Sequence, residues 1–278
     1  MKIAIITPLK DEIENLPRLY ESIGAIDGKI DHWIICENGS TDGSVEFLRA
    51  ADKPPTVDNL HVLNVDTGTP EYQLGFKYSR IVEAGLKFLM ARDGYRDICY
   101  IGILDADCFP RPDYYRRLLD EFALRDRLGI LSGTLVRPDG TRLPAARGFP
   151  RGNSRVWRRR CIEEAPYIVG MSADALTAIR AEARGWDCDA LPDALVETRD
   201  IGRRAGQRYY GEAAYYRGET VAFTLIKSIR RSLSSPRSGM NYFRGYVGAL
   251  VRRSPRVDDA EIIEYSRGKL ARRMRRRS

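Results

Sequence analysis

The chain is poor in histidine and has no paired cysteine motif. Its 278 residues include two histidines, His32 and His61. So few exclude a histidine-rich zinc centre and leave little room for a Ser-His-Asp triad. His32 stands beside Trp33 and His61 opens an apolar run, so both read as structural. The five cysteines (Cys36, Cys99, Cys108, Cys161, Cys188) are odd in number and form no C-x-x-C pair. They read as reduced thiols in a cytosolic setting, not as a disulfide framework. No apolar run approaches the ~20 residues needed to cross a bilayer. The strand-like Lys2–Thr7 run leaves no place for a secretory leader, so a cytoplasmic location is expected.

What the sequence does contain is a soluble, core-forming composition. Hydrophobic residues make up 43% and charged residues 30% of a chain long enough for one large α/β domain with an appendage. The net charge of +8 is uneven. Lys227 to Ser278 hold 15 Lys/Arg against 4 Asp/Glu, a net of +11, and the remainder holds 31 against 34, a net of −3. A mildly acidic body with a strongly basic end suggests that the end meets something anionic.

Along the first half, short apolar runs alternate with amphipathic stretches. Strands are expected at Lys2–Pro8, Asp31–Cys36, Leu60–Val65, Ile98–Leu104 and Gly129–Val136. Helices are expected at Asn15–Ile26, Gly43–Ala50, Tyr72–Arg92 and Tyr114–Leu124. This α/β alternation predicts a mostly parallel sheet with right-handed crossovers, flanked by helices. Arg137–Asn153, rich in Pro, Gly and Arg, reads as a loop over the active face. Val156–Ala165 and Asp174–Arg184 read as helices and Leu191–Thr198 as a last strand. Further helices are expected at Gln207–Arg217, Val221–Ser232, Met240–Val251 and Glu261–Arg276. The expected division is 1–202 for the α/β domain, split near 110 into nucleotide-binding and acceptor halves, and 203–278 for a helical basic extension.

The most informative segment is Ile103-Leu104-Asp105-Ala106-Asp107-Cys108. In an open α/β sheet, ligands sit at the carboxyl ends of the strands. Two carboxylates spaced i and i+2 at such an end can hold a hard cation shared with substrate phosphates. Strand one ends in Thr7-Pro8-Leu9-Lys10-Asp11-Glu12. Strand two ends in Glu37-Asn38-Gly39-Ser40-Thr41-Asp42-Gly43-Ser44. With adjacent parallel strands, all three ends converge on one crevice.

On these residues, from about Lys2 to Arg199, the sequence resembles the family-2 inverting glycosyltransferases of the GT-A fold. That family carries a Pro-x-x-Asn/Asp-Glu turn after strand one, an Asp-Asp/Asn-Gly-Ser-x-Asp-Gly turn after strand two, and a DxD after strand four. The resemblance implies a nucleoside-diphosphate sugar donor, Mn²⁺ or Mg²⁺, and a single displacement that inverts the anomeric carbon. Thr7, Pro8, Glu12, Glu37, Asn38 and Gly39 would then hold the nucleotide, with Glu37 standing where the family usually has Asp. Lys77 and Arg80 would face the diphosphate. Asp105 would meet the ribose and the metal shell, and Asp107 would bind the metal. Asp174 would be the general base: Val169-Gly170-Met171-Ser172-Ala173-Asp174 precedes a helix ending near Gly185-Trp186, and relatives have a similar Gly-x-Asp segment opening a helix that ends in Gly-Trp. The same position also suits a helix-capping carboxylate, and Glu163 and Glu164 are outside alternatives for the base. Relatives often place a His after the last strand. Here Glu197 stands nearby as a third oxygen ligand, or water takes that place, and Arg199 reaches toward the diphosphate.

The acceptor implied is a lipid-linked or surface glycan, as in polysaccharide biosynthesis. The basic end has Tyr242, Phe243 and Tyr246 among arginines and the dense Lys269–Arg277 run. It suits peripheral contact with an anionic membrane surface, at the inner face. Two other readings compete. A sugar nucleotidyltransferase would show a Gly-rich loop after strand one, and Thr7–Glu12 contains no Gly. A nucleic-acid-binding protein would leave Asp105 and Asp107 unused, so no nucleic acid is expected.

Overall fold

A computed structural model describes residues 2–68, 75–143, 145, 148–199 and 206–268. Four strands, β1 (Lys2–Leu9), β2 (Ile30–Glu37), β3 (Val57–Asn64) and β4 (Ile98–Ile103), run parallel in the order β3-β2-β1-β4. The later strands are β5 (Cys108–Pro110), β6 (Leu128–Val136), β7 (Arg142–Leu143), β8 (Arg155–Arg158) and β9 (Asp187–Thr198). They extend the sheet beyond β4 in the order β8-β6-β9-β5, and β7 pairs with β6. β8 is antiparallel to both β4 and β6, whereas β6 and β9 are parallel.

Alternate residues of each central strand supply opposite cores, which is why the strands are apolar throughout. Ile3 and Ile5 of β1 and Trp33 and Ile35 of β2 share a core with helices α1 (Leu16–Gly24), α2 (Ser44–Ala50) and α4 (Tyr114–Leu124). Ala4 and Ile6 of β1 and Ile34 and Cys36 of β2 share the other with α3 (Phe76–Met90), α5 (Arg159–Glu164) and α6 (Ala173–Ala183). Leu16, Leu19, Tyr20 and Ile23 form the buried stripe of α1 at helical spacing. Gly85 lets α3 lie close on the sheet: a Cβ there would meet Ile6 at 2.7 Å and Cys36 at 2.8 Å.

Two expectations change. Val156–Ala165 is not one helix; it opens within strand β8, and α5 follows. Val156 and Trp157 are both fully buried but enter opposite cores, the period of a strand. The flanking Arg158 donates to the carbonyls of Phe122 (2.6 Å), Leu128 and Arg125, so its charge is satisfied beside the core. The short β5, directly after the Asp105/Asp107 turn, has no counterpart in the sequence reading; it pairs with the end of β9. The helix expected from Tyr72 is described from Phe76. Tyr72 lies outside the described residues, as does the Lys269–Arg277 run.

The chain forms two compact units, Met1–Val169 with Ala173–Ile201, and Gly170–Ser172 with Gly202–Ser278. The second contains α7 (Gln207–Tyr216), α8 (Val221–Ser234), α9 (Pro236–Val251) and α10 (Ala260–Arg267). α9 packs closely on α7 through glycines: a Cβ on Gly245 would lie 2.0 Å from the Arg208 carbonyl oxygen. Tyr242 and Tyr246 are buried here, and the Tyr246 hydroxyl donates to the Glu219 carbonyl at 2.6 Å. They form this unit's core and are not the membrane-facing aromatics that the sequence pattern suggests. Among the described residues no helix is long and apolar enough to cross a membrane.

Candidate functional site

The carboxyl ends of β1, β2 and β4 lie side by side, and the loops after β1 and β2 are stitched together. Asp11 N–H donates to Ser40 Oγ (2.9 Å), Glu12 N–H to Ser44 Oγ (3.0 Å) and Ile13 N–H to Asp42 Oδ2 (2.9 Å), while Thr41 N–H donates to Asp11 Oδ1 (2.8 Å). The polar side chains of both turns thus satisfy each other's backbone.

Several expected nucleotide contacts already have protein partners. The Thr7 hydroxyl is buried and accepts from Trp33 Nε1 at 2.9 Å. Pro8 pairs opposite Cys36 in the sheet. The Glu37 carboxylate accepts from Ser40 N–H and closes its own turn. Glu12 accepts from Arg199 (3.2 Å) and from Asn15. Asn38 is different. Its amide donates to the Val65 carbonyl, and its Oδ1 is buried without a hydrogen-bond partner. A buried acceptor in that state carries a desolvation cost that a ligand's donor would recover. Asn38 and Gly39 line a cavity of about 530 Å³ with Lys10, Asn64, Asp66 and Lys77. Gly39 has φ +66° and open space where a side chain would be. Lys77 therefore faces this cavity from the first turn of α3. Arg80, further along α3, is exposed and is not among the lining residues.

Asp105 is bonded beside the lining of this cavity and to the lining of a second one. Tyr78, next to Lys77, donates its hydroxyl to Asp105 Oδ1 at 2.6 Å, and Asp105 N–H donates to the Asn153 carbonyl at 2.9 Å. Asn153 lines the second cavity, of about 470 Å³, with Phe149, Arg151, Gly152, Arg155 and Asp174. Asp174 sits in the first turn of α6, inside the helix and not at its cap. It is held in place from beneath. Arg155 is 1% exposed and donates to the carbonyls of Arg151, Pro150 and Asp174, with its guanidinium 3.8 Å from Asp174 Oδ2. The absence of a side chain at Gly152 leaves room for the Asp174 carboxylate, which an added Cβ would approach to 3.3 Å.

The two acidic residues of the turn differ in environment. Burial, then the charge of Asp107, pushes the Asp105 carboxyl up to about 8, against the bond from Tyr78. Asp107 accepts from Arg199 at 2.9 Å, and the same guanidinium reaches Glu12. Glu197 does not join them: Arg18 and Arg111 engage its carboxylate. Among the described residues no three Asp, Glu, His or Cys side chains come together as a cation site. Asp105 and Asp107 nonetheless suit a divalent cation. Their mutual repulsion is what a cation relieves, and Mg²⁺ or Mn²⁺ commonly takes one or two carboxylates and completes its shell with water and phosphate.

Tyr78 is a site residue that the sequence reading takes only for a core position, whereas Asn153 and Arg155 fall in the Arg151–Trp157 segment that resembles the family's approach to the acceptor side, with no role given to either. Tyr78 follows the helical stripe of α3, and nothing in its spacing separates a core position from one aimed at Asp105. Arg155 has a signal, a charged residue beside apolar neighbours at the head of a strand.

No known family model matches the sequence, and no curated protein matches it. Solved structures do match. S. aureus TarS superposes with a TM-score of 0.56 at 12% identity, over 77% of this chain and 38% of that one. The chain thus spans well under half of that TarS chain. TarS 1–349 in complex with UDP-GlcNAc gives 0.56 at 10% identity, over 93% and 74%. The mannosyltransferase PcManGT from Pyrobaculum calidifontis, in complex with GDP-Man and Mn²⁺, gives 0.56 at 14% identity, over 90% and 75%. Glucosyl-3-phosphoglycerate synthase from Mycobacterium tuberculosis, in complex with Mn²⁺, UDP and phosphoglyceric acid, gives 0.51 at 14% identity, over 72% of each chain. What these proteins and this chain share is the fold: the chain has the GT-A glycosyltransferase fold, a mostly parallel sheet flanked by helices.

Proposed function

We propose that this chain is an inverting glycosyltransferase that moves a sugar from a nucleoside-diphosphate donor to a hydroxyl acceptor by a metal-assisted single displacement. The observation that carries the reading is the bonding of Asp105 to Tyr78, next to Lys77 of a cavity lined also by Asn38 and Gly39, and to the carbonyl of Asn153, which lines a second cavity with Asp174. The donor complexes of TarS 1–349 and PcManGT, which share the fold, support it.

In this reading the first cavity takes the nucleotide. Asn38 Oδ1 accepts from the ring N–H of the base, and Gly39 leaves space for it. Lys77 offsets diphosphate charge. Asp105 and Asp107 would hold the cation, Mn²⁺ or Mg²⁺, which neutralises charge developing on the departing nucleoside diphosphate. Asp174 takes the proton from the acceptor hydroxyl, which lies in the second cavity, as that oxygen attacks the anomeric carbon from the side opposite the leaving group. Arg155 keeps the Asp174 carboxylate aimed. Arg199 spans Asp107 and Glu12 and keeps the metal-binding turn against the loop after β1. Glu197 is left to Arg18 and Arg111, so Asp105 and Asp107 are the residues that would hold the cation.

The acceptor in this proposal is a lipid-linked or surface glycan, and the basic C-terminal unit brings the enzyme to an anionic membrane surface on the cytoplasmic side. A screen of nucleotide sugars for Mn²⁺-dependent turnover, followed by the anomeric configuration of the product, tests the reading. No turnover of any donor, with no thermal stabilisation by UDP or GDP plus Mn²⁺, would sink it. A product of retained configuration would overturn the single displacement.

A further inference from the structure

Helix α8 presents an apolar face that its own unit leaves uncovered. Val221, Leu225, Ile226, Ile229 and Leu233 are all exposed, Ile229 to 57% and Leu233 to 84%. Their spacing of three to four residues places them on one side of the helix. The opposite side is committed. Phe223, Thr224 and Ser228 are buried, the Ser228 hydroxyl donates to the Gly239 carbonyl at 2.7 Å, and Arg231 stacks over Tyr242 at 4.3 Å. The N-cap Thr220 accepts from Phe223 N–H, so the helix is properly started and its exposed face is not a frayed end.

The charges carried by α8 and α9 have one sign. From Val221 to Val251, the whole of α8 and α9, the sequence contains five Lys/Arg (Lys227, Arg230, Arg231, Arg237, Arg244) and no Asp or Glu. Among these Arg230, Arg237 and Arg244 are exposed. Lys227 is not available to a partner, because it is spent on buried Glu219 at 2.8 Å. The exposed arginines fix the choice of occupant. A second copy would bring the same basic face against itself. An anionic bilayer offers hydrocarbon for the aliphatic row and phosphate for the arginines.

We infer that α8 lies in the headgroup region of an anionic membrane, with Val221, Leu225, Ile226, Ile229 and Leu233 inserted and the exposed Arg230 of the same helix on lipid phosphate. This deepens the membrane part of the proposed function and moves the contact from the aromatic residues of α9 to the aliphatic row of α8. It rests on that part alone, and vesicle binding, not catalysis, decides it.

The test is cosedimentation of the full chain with vesicles of phosphatidylcholine, alone or mixed with phosphatidylglycerol. Binding is expected with the mixed vesicles, weakening as salt rises, and not with the neutral ones. Ile229→Glu/Leu233→Glu should lower partitioning by ~10-fold or more for each side chain withdrawn. Leu124→Glu, on an 81%-exposed residue of α4, should leave it unchanged. A chain lacking residues 269–278 should still bind and still respond to the α8 substitutions. Both α8 side chains are solvent-exposed, so circular dichroism should confirm that the double variant is folded. Unchanged binding of the folded double variant would overturn the assignment of α8 while leaving a membrane contact elsewhere. A wild-type dimer in sizing experiments that the double variant dissolves would give the face to a second copy and overturn it too. Nucleotide-sugar turnover on a soluble acceptor should be the same in all these variants, so the transferase reading stands or falls separately.

Discussion

The hydroxyl of Tyr78 donates to Asp105 Oδ1 at 2.6 Å and so ties the first turn of α3 to the end of β4. This bond opposes burial and the charge of Asp107, which together hold the Asp105 carboxyl at about 8. A carboxyl raised in the folded state keeps its proton where the unfolded chain, with a value of about 4, has released it. Stability of the metal-free chain should therefore fall as pH rises from about 4 to about 8, and level off above. A divalent cation favours the ionised form, so the rise in Tm given by Mn²⁺ should grow with pH over the same window. Asp105→Asn should flatten both trends. Tyr78→Phe removes the opposing bond and should move the Mn²⁺ response to higher pH. Thermal melts across pH, with and without Mn²⁺, check this; a Mn²⁺ response in Asp105→Asn equal to wild type would refute it.

Asp107 has one strong protein partner, Arg199 at 2.9 Å, and that partner is 40% exposed. Half-exposed ion pairs of this kind contribute about 0–1 kcal/mol. Asp107→Asn should thus keep the fold and its Tm within a few degrees. It should nevertheless lose most cation-dependent turnover, because a ligand charge disappears beside the diphosphate. Arg199→Ala should be as mild for stability and should raise KM for the donor more than it lowers kcat. Steady-state kinetics against Mn²⁺ concentration distinguish the two. Near-normal turnover by purified Asp107→Asn would show that the turn holds no catalytic cation.

Two glycines of α9 should respond to the same change with opposite signs. A Cβ on Gly245 would come within 2.0 Å of a backbone carbonyl oxygen of α7, and backbone cannot swing away. Gly245→Ala should cost about 3 kcal/mol or more through overpacking. A Cβ on Gly248 would meet only the tip of the Arg252 side chain, at 3.2 Å. That tip can move, so Gly248→Ala should stabilise by up to ~1 kcal/mol through helix propensity. Urea unfolding of the two variants gives both signs in one experiment.

The central strands were legible because residues that feed two cores must be apolar at every position, as Ile3 to Ile6 are. The helices α1, α3 and α4 were legible from stripes at a spacing of three and four. Strand β8 was not, because Arg158, its last residue, is followed directly by the helical α5 and four residues show too little alternation to set a period. Asp105, Asp107 and Asn38 could be placed at the carboxyl ends of their strands from their turns alone. Glu197 could not, because its fate depends on Arg18, 179 residues away in sequence, and such pairings leave no local pattern. Tyr242 and Tyr246 show the same limit from the other side. Aromatic residues among arginines look interfacial, and the close approach of α7 that buries them is signalled only by scattered glycines.

Asp174 is held by a buried arginine, and that arrangement separates its two possible roles. If it serves as the general base, Asp174→Asn should cut kcat by ~10²-fold or more. The first cavity, assigned to the nucleotide in the proposed function, is lined by other residues, so the affinity for UDP or GDP with Mn²⁺ should be unchanged. As a carboxylate in the first turn of α6 it also stabilises that helix end, by about 0.3–1 kcal/mol, so a small drop in Tm is expected as well. Arg155 would keep its bonds to the carbonyls of Arg151, Pro150 and residue 174 in the variant, which preserves the geometry of the second cavity. Titration calorimetry with the nucleoside diphosphate, beside single-turnover rates, reads the two effects independently. If nucleotide affinity falls in step with the rate, Asp174 is a helix-end carboxylate that shapes the site and is not the general base.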